Sequence, residues 1–585
     1  MNTIENDKIS RVCIVFKTHL DIGFTNYAGV ITEKYLHEYI PNAIRVGYEL
    51  KDSSTPFVWT VGSWLVDLAL KKNVPRIREA LDDGIIRWHA LPFTTHTEAM
   101  SPKLFQYGLA ISKKLDETFG VKTESAKMTD VPGHTIGMIP YMKKAGINFM
   151  HIGVNPATPV PEVPRLFRWK CGEDSIVVMY QGDYGTPEIF GDTALEFAHT
   201  HDNEGPQTAD EVRRIYADYQ RKYPNAEIQA ISLEEFGQIV LEHAKDLPVI
   251  DREIGDTWIH GVATDPKKLG RYRAILRYLD EHEIEQTDLT DNLLLVPEHT
   301  WGMDVKTFFR DETHYFYDEL LSIAKDRQTI ERSWEEQREY VRLAEQELKI
   351  HADYEPVKPD FEEFEEIENE DPGIRLVWQL HDHADYERWK QNYLRLQVEW
   401  SIWDFTKVGL PDYCGGFYRA KLERAYKKNN RRLYLYKFDE KLVRQYGLPY
   451  FTVEIEGENV TVQWFDKKIS RLPQTFYLKF TEYGENWQLN KMNQWIKPED
   501  VIGSPLYSAV YEGIENPLVK IESLDAALVA PFGKNILNHQ ASAKEQDMHF
   551  VLYTNVWNSN FPQWYGEDSL FRFKLKKNKN MEVRN

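Results

Sequence analysis

Through the first half of the chain, short apolar runs alternate with amphipathic stretches, and this alternation restricts the fold more than any other feature. VCIVF, from Val12, leads into an amphipathic stretch over residues 31–50, followed by FVWTV, KKNVPRIREALDD and IIRWHAL. The pattern continues through ESAKMTD, TIGMIPYMKKAG, NFMHIGV, SIVVMYQ and EIQAISL. Uninterrupted apolar runs read as strands buried on both faces, and apolar residues three and four apart read as helices. Strands alternating with helices predict a parallel sheet or incomplete barrel with helices outside. Ligands in such folds sit beyond the carboxyl ends of the strands.

After residue 303 the texture changes. Residues 304–351 are charged and helix-periodic, with no Pro or Gly from Phe308 to Ile350; DFEEFEEIENEDPG reads as an acidic loop, and residues 388–407 as a further helix. From Tyr446 onward, YFTVEIEGENVTVQWF alternates around a turn-forming GEN, and TFYLKF and MHFVLYTNVW also read as strands. Three parts are therefore expected: an α/β part over residues 1–303, a helical middle region over 304–445 and a β-rich C-terminal domain over 446–585.

Composition narrows the partners. Asp and Glu outnumber Lys and Arg by 92 to 71, so the formal charge is -21 and the long-range field repels phosphate backbones and anionic lipid. No stretch is long and apolar enough to span a membrane, and MNTIENDKIS lacks the basic and apolar regions of a signal peptide. The 3 cysteines are widely spaced and odd in number, which argues against a disulfide framework or a Cys-type zinc site. The expectation is a cytoplasmic protein that binds neither nucleic acid nor membrane, with homo-oligomerisation left open. The 16 Trp and 32 Tyr supply ring surfaces that serve either as core or as sugar subsites.

Four segments carry residues suited to chemistry. In KTHLDIGF, His19 and Asp21 lie two apart at the end of an apolar strand, so both point to one face. An imidazole beside a carboxylate suits a borderline divalent ion such as zinc, or a purely structural pair. In KMTDVPGHTIGM, Asp130 stands at a strand end before a Pro-Gly turn, as a helix cap or a site carboxylate, with His134 close behind. In EHTWG, Glu298 and His299 follow the apolar run LLLV, with Trp301 either filling a gap or facing a site. In ISLEEF, Glu234 and Glu235 follow another apolar run; one of an adjacent pair can be held protonated by burial and by its neighbour's charge, or both are helix-surface charges.

The order and spacing of these segments resemble glycoside hydrolase family 38, the alpha-mannosidases, over residues 12–302. THLDIGF is similar to that family's opening His-x-His-x-Asp-x-Gly-aromatic element, DVPGH to its Asp-x-x-Gly-His element, LEEF to its paired acids, and EHTWG to its late histidine element. The first His of the opening element is missing near Thr18, the paired acids are Glu rather than Asp, and the aromatic is Phe24 rather than Trp. The closest likeness is to poorly characterised bacterial family 38-like proteins, whose ends carry a motif like NVWNSNFPQWYGEDSLFRF.

The resemblance implies an incomplete (β/α)7-type barrel and a divalent metal, normally zinc, held by His19, Asp21, Asp130 and His299. It implies a retaining glycosidase with a carbohydrate substrate, acting on alpha-mannosides or related alpha-glycosides through a covalent glycosyl-enzyme intermediate. Asp130 would be the nucleophile and Glu235 the general acid and base, while Phe24, His134 and Trp301 would contact the sugar. A metal-dependent carbohydrate deacetylase and a non-catalytic carbohydrate-binding protein on the same barrel are the competing readings. LHDHADY, with His381, His383 and Asp385, spells the His-x-His-x-Asp pattern more literally but lies just before helical sequence, where capping and packing account for it. Asp256, Trp258 and His260 in GDTWIHG form either a subsite wall or core.

Overall fold

The computed structural model describes residues 6–481, 483–504, 508–531, 535–539 and 547–578, so the first five residues of the N-terminal segment lie outside it. The strands of the first part are β1 Arg11–His19, β2 Trp59–Gly62, β3 Ile86–His89, β4 Ser125–Asp130, β5 Phe149–Val154, β6 Leu166–Cys171, β7 Asp174–Gln181, β8 Glu188–Phe190, β9 Thr193–Asp202, β10 Glu227–Ala230 and β11 Val249–Ile250. They form two sheets, in the orders β3-β2-β1-β9-β8 and β11-β6-β7-β5-β4, with β10 also on β1. β1 runs parallel to β2, β9 and β10, and β4, β5 and β7 run parallel to one another. Only β6 and β8 run against their hairpin partners, β7 and β9. Ala90 N donates to Ser125 O at 2.9 Å, linking the end of β3 to the start of β4.

β1 illustrates why these runs form central strands. Val12 to Phe16 are completely buried, because sheet neighbours hold its edges while helices cover its faces. Helix Pro102–Phe119 shows the local signals of its type. The Ser101 hydroxyl accepts from Leu104 N at 3.2 Å, proline opens the first turn, and Gly120 at φ 65° closes the last.

Two features depart from the sequence reading. LLLV before Glu298 is not a strand: Asp291–Leu295 is a short helix whose Thr290 cap accepts from Leu293 N at 3.3 Å. A short apolar run surrounded by core carries no periodicity to separate the two states. The middle region is helical only to Leu348, the end of helix Ala324–Leu348, apart from the short helices His383–Tyr393, Glu399–Phe405 and Glu440–Tyr446. Strands begin again at Glu365–Ile367, and Ile374–Leu380 pairs with Gln474–Phe480, so β structure starts well before Tyr446. In Lys421–Lys428 and Arg431–Lys437 exposed charges interrupt the apolar alternation, which hides strands that still bury Ala425, Leu433, Tyr434 and Tyr436.

The C-terminal strands form a ten-stranded and a six-stranded sheet among the described residues. Tyr450–Glu456 and Asn459–Phe465 pair antiparallel around Gly457, whose φ of 60° the turn requires. Glu253–Ile254 pairs in parallel with Val501–Ile502, and Lys491 reaches from the C-terminal sheet to Glu98 and Glu253 of the first part, at 2.8 and 2.7 Å.

Candidate metal centre and cavity

The carboxyl ends of β1 and β4 carry the residues that converge. His19 ends β1, and Asp21 lies on the loop beyond it. Asp130 ends β4 at φ 79°, a backbone conformation costly for a non-glycine residue and one that turns the carboxylate inward. His299 arrives from the segment after helix Asp291–Leu295. Its Nε2 is 3.0 Å from Asp21 Oδ1 and 3.5 Å from Asp130 Oδ2, and His19 Nε2 is 3.1 Å from Asp21 Oδ1. One potential ligand atom from each of the four lies within 4.8 Å of the others, and all four side chains are buried.

The surroundings hold this constellation in place. His299 Nδ1 is 2.7 Å from Glu298 Oε1, which fixes the ring so that Nε2 faces the cluster. Asp130 Oδ1 accepts from Asn155 Nδ2 at 3.1 Å and from the Tyr184 hydroxyl, leaving Oδ2 toward His299. Asn203 clasps the loop after β1: its Oδ1 accepts from Asp21 N at 3.1 Å, and its Nδ2 donates to Asp21 O and Gly23 O at 3.1 and 3.2 Å. Gln337, on helix Ala324–Leu348, donates to Ile22 O at 3.1 Å, so the long helix braces the same loop.

Electrostatics fit a cation at this point. Burial pushes the Asp21 carboxyl up, but the His19 and His299 imidazoles outweigh it and hold Asp21 well below the usual carboxylate range. Burial opposes charge on His299, yet Glu298, Asp130 and Asp21 together raise it well above the usual imidazole value. The centre thus attracts positive charge, and Asp21 Oδ2 is buried without a hydrogen-bond partner. Two imidazole nitrogens and two carboxylates are a donor set that suits zinc.

The cluster opens onto a cavity of about 540 Å³, lined among others by Asp21, Phe24, Asp130, Tyr184, Asp202 and Trp258. Its wall also draws on Asp304, Lys306, Trp400 and Asp404, and on Ser559 and Asn560 of the C-terminal motif. That motif is tied in by Asn560 Oδ1, which accepts from Trp301 N at 3.3 Å, and by Ser559 O, which accepts from Val305 N at 2.8 Å. Phe24 sits at φ 57°, held by Gly302 O on one side and Asp304 N on the other, with Lys306 Nζ 4.9 Å from its ring centre.

Three of the expected contact or catalytic residues lie elsewhere. Glu235 occupies the first turn of helix Leu233–Glu242, exposed, where its carboxylate accepts from Ser232 N and Oγ at 2.8 and 2.9 Å in a capping box. Its neighbour Glu234 accepts from Ser125 N at 2.9 Å, at the start of β4. Asp130 is five residues further along that strand, roughly 17 Å away. Glu235 is therefore at the opposite end of the sheet from the cavity: ISLEEF follows β10 directly, but its two acids lie in the first turn of the next helix. His134 is fully buried, with Nδ1 3.3 Å from Thr97 Oγ1, and Trp301 is buried with Lys268 Nζ 3.6 Å from its ring centre; neither lines the cavity.

The remaining motifs also find places. His381 Nε2 is 3.1 Å from Thr475 Oγ1 in the C-terminal core, while Asp385 completes the capping box of helix His383–Tyr393. Asp256 binds His96 Nδ1 at 2.7 Å in the interior, His260 packs against Trp389 and Trp557, and only Trp258 of that trio reaches the cavity.

Three cavity carboxylates, Asp202, Asp304 and Asp404, were not singled out from the sequence. Asp202 ends β9, directly beside β1, and burial followed by the Asp21 charge raises its carboxyl to about 7. Asp404 is likewise raised to about 7 by burial, against the pull of Lys306, which donates to it and to Asp304 at 2.9 Å each. The signal for Asp202 was present in TALEFAHTHD, an apolar run ending in His and Asp, the same pattern as VCIVFKTHLD.

A family described only as a domain of unknown function (DUF5054) matches residues 262–373, a span that includes His299 and the long helix. No curated protein matches the chain at a significant level. Among solved structures, an alpha-mannosidase from Enterococcus faecalis superposes over 98% of this chain and 88% of its own, with a TM-score of 0.58 at 8% identity. A protein in glycosyl hydrolase family 38 from the same organism does so over 98% and 87%, with a TM-score of 0.53 at 8% identity. At such identity the likeness is one of architecture, and over nearly its whole length the chain resembles these family 38 structures in fold.

Proposed function

We propose that this chain is a metal-dependent retaining glycoside hydrolase acting on alpha-mannosides or related alpha-glycosides. The observation that carries the reading is the buried His19, Asp21, Asp130 and His299 cluster opening onto a cavity with further carboxylates. We read residues 1–303 as an incomplete (β/α)7 barrel that bears the chemistry, residues 304–445 as the middle region that closes one wall, and residues 446–585 as the β-rich domain. The setting in this proposal is cytoplasmic and the ion is zinc.

His19, Asp21, Asp130 and His299 would hold the metal, which when bound supplies a Lewis-acidic anchor for sugar hydroxyls. Asp130 is the nucleophile: its carboxylate forms a bond to the anomeric carbon as the bond from that carbon to the leaving oxygen breaks. Tyr184 and Asn155, both donating to Asp130 Oδ1, orient it for attack. The general acid passes from Glu235 to Asp202, which lines the same cavity and whose carboxyl burial and the Asp21 charge raise to about 7. Asp202 gives its proton to the departing oxygen, then takes one from the water that cleaves the glycosyl-Asp130 ester. Phe24 and Trp258 offer the sugar apolar surface.

A panel of nitrophenyl glycosides, assayed after chelation and again after adding zinc, tests the reading. Turnover that falls on chelation and returns with metal, and that Asp130→Asn lowers by at least about 10³-fold, is expected. Full activity of Asp130→Asn would overturn it, and acetate release without glycosidic cleavage would favour a deacetylase.

A further inference from the structure

The chemistry above leaves two buried lysines without a task. Lys17 lies on β1 and Lys127 on β4, at 1% and 6% exposure, on the inner side of the sheets below the metal centre. The two side chains interact with each other, and burial holds Lys17 well below the usual lysine value and Lys127 at about 7; neither pairs with a carboxylate within salt-bridge distance among the described residues. Both line one small cavity of about 40 Å³, which His19 also borders and whose lining contains no Asp or Glu. Thr60 Oγ1 and His89 Nδ1, from β2 and β3, belong to the same lining and are buried without partners.

Buried charge is normally paired, and a buried polar atom is normally hydrogen-bonded. Here two lysines, a hydroxyl and an imidazole from four neighbouring strands leave their polar ends facing one space without any anionic side chain. The strand register makes this a built arrangement, because Lys17 pairs directly with Thr60 of β2 and with His199 of β9. A water-sized occupant needs at least about 10–15 Å³ of such space. The cavity therefore has room for a small ion.

We propose that this cavity is a binding site for a small inorganic anion of the halide class, held between Lys17 and Lys127 with Thr60 and His89 completing the shell. The site is separate from the glycosidase reading and stands or falls without it. The ion compensates two lysines whose charged forms otherwise repel each other in a medium of low dielectric. It also ties β1 to β4, the two strands whose ends carry His19 and Asp130.

The test begins with the unmodified protein crystallised from bromide. An anomalous bromine peak between Lys17 and Lys127 is expected; water alone in that cavity, with bromide only on the surface, overturns the proposal. In solution, the thermal midpoint should rise saturably by an amount on the order of 2 °C when gluconate is replaced by chloride at constant ionic strength. Lys127→Met and Lys17→Met should each abolish that increment while still unfolding cooperatively. Equal midpoints of the unmodified chain in the two salts would also overturn it. The bromide experiment decides the matter should either variant fail to fold.

Discussion

His19 and Asp202 face each other at the last paired position of parallel strands β1 and β9. Because β9 is the immediate neighbour of β1, its terminal carboxylate arrives beside the cluster of His19, Asp21, Asp130 and His299 by strand register alone, without any long-range loop. That relationship is why we propose Asp202 for the acid role.

Asp202→Asn should lower turnover of glycosides with poor leaving groups by about 10²–10⁴-fold while sparing activated aryl glycosides, which need little protonation. Glu235→Gln should leave both unchanged, since its carboxylate closes a capping box at the far end of the sheet. Paired kinetics on an alkyl and a dinitrophenyl glycoside decide it. A large loss in Glu235→Gln alongside a silent Asp202→Asn would restore the earlier assignment.

Glu298 bears on the proposed metal centre without being one of its ligands. Its Oε1 holds His299 Nδ1 at 2.7 Å and its Oε2 accepts from Thr300 N at 2.8 Å, so the carboxylate sets the ring orientation. Glu298→Gln should weaken zinc affinity about 10–100-fold, measured by competition with a chromophoric chelator. His299→Ala should leave the purified protein with little metal by elemental analysis. Unchanged zinc affinity in both variants would remove the cluster from consideration as a metal centre.

The parts of this site that could be read from sequence are those where a strand delivers its own last residues. VCIVF into THLD and SAKMTD into VPGH point their polar residues at the carboxyl end because the strand direction leaves them no alternative. ISLEEF misled because Ser232 and Glu235, three apart, are also the spelling of a capping box, and only the backbone turn after Ile231 separates the two meanings. Asp404 and Lys306 were invisible for another reason. They come from segments 98 residues apart, and their pairing at 2.9 Å is made by tertiary packing of helix Glu399–Phe405. The C-terminal strands before Tyr446 escaped because their charges face outward on a sheet only half covered.

Buried histidines should govern acid stability. Burial lowers His260 and His549 to about 3 and His134 to about 4. In the unfolded chain the same rings bind protons near pH 6.5. Below that value the unfolded state holds more protons than the folded one, so stability is full above about pH 6.5 and is lost as pH falls toward 3. Each ring contributes a slope of about 1.4 kcal/mol per pH unit within the window. His549 packs on Tyr477 with ring centres 4.0 Å apart, and His549→Gln, which cannot titrate, should flatten the acid limb of the thermal midpoint between pH 6.5 and 4. Parallel acid limbs in the two proteins would rule out this ring as a contributor.

Lys491 is the sharpest test of how the C-terminal domain is fastened to the first part. It is fully buried, and its ammonium lies between Glu98 Oε2 and Glu253 Oε1 at 2.8 and 2.7 Å. Burial works against its charge, but the two carboxylates raise its proton affinity above the usual lysine value. Burial raises Glu98 to about 7 in spite of the lysine, because Glu253 and Asp256 add negative charge nearby. The two directions agree once the stoichiometry is counted: one ammonium serves two carboxylates, so the cation is oversupplied with partners and the anions are not. Both carboxylates also hold backbone, Glu253 accepting from Ile136 N at 2.7 Å and Glu98 from Ala509 N at 3.1 Å. Lys491→Met leaves two facing carboxylates buried without their cation and should destabilise the fold by about 3–5 kcal/mol. Adding Glu98→Gln and Glu253→Gln removes the uncompensated charge while keeping backbone acceptors, and should recover much of the loss. Thermal midpoints of the single and triple variants measure both steps, and a Lys491→Met protein as stable as the parent would show that this contact fastens nothing.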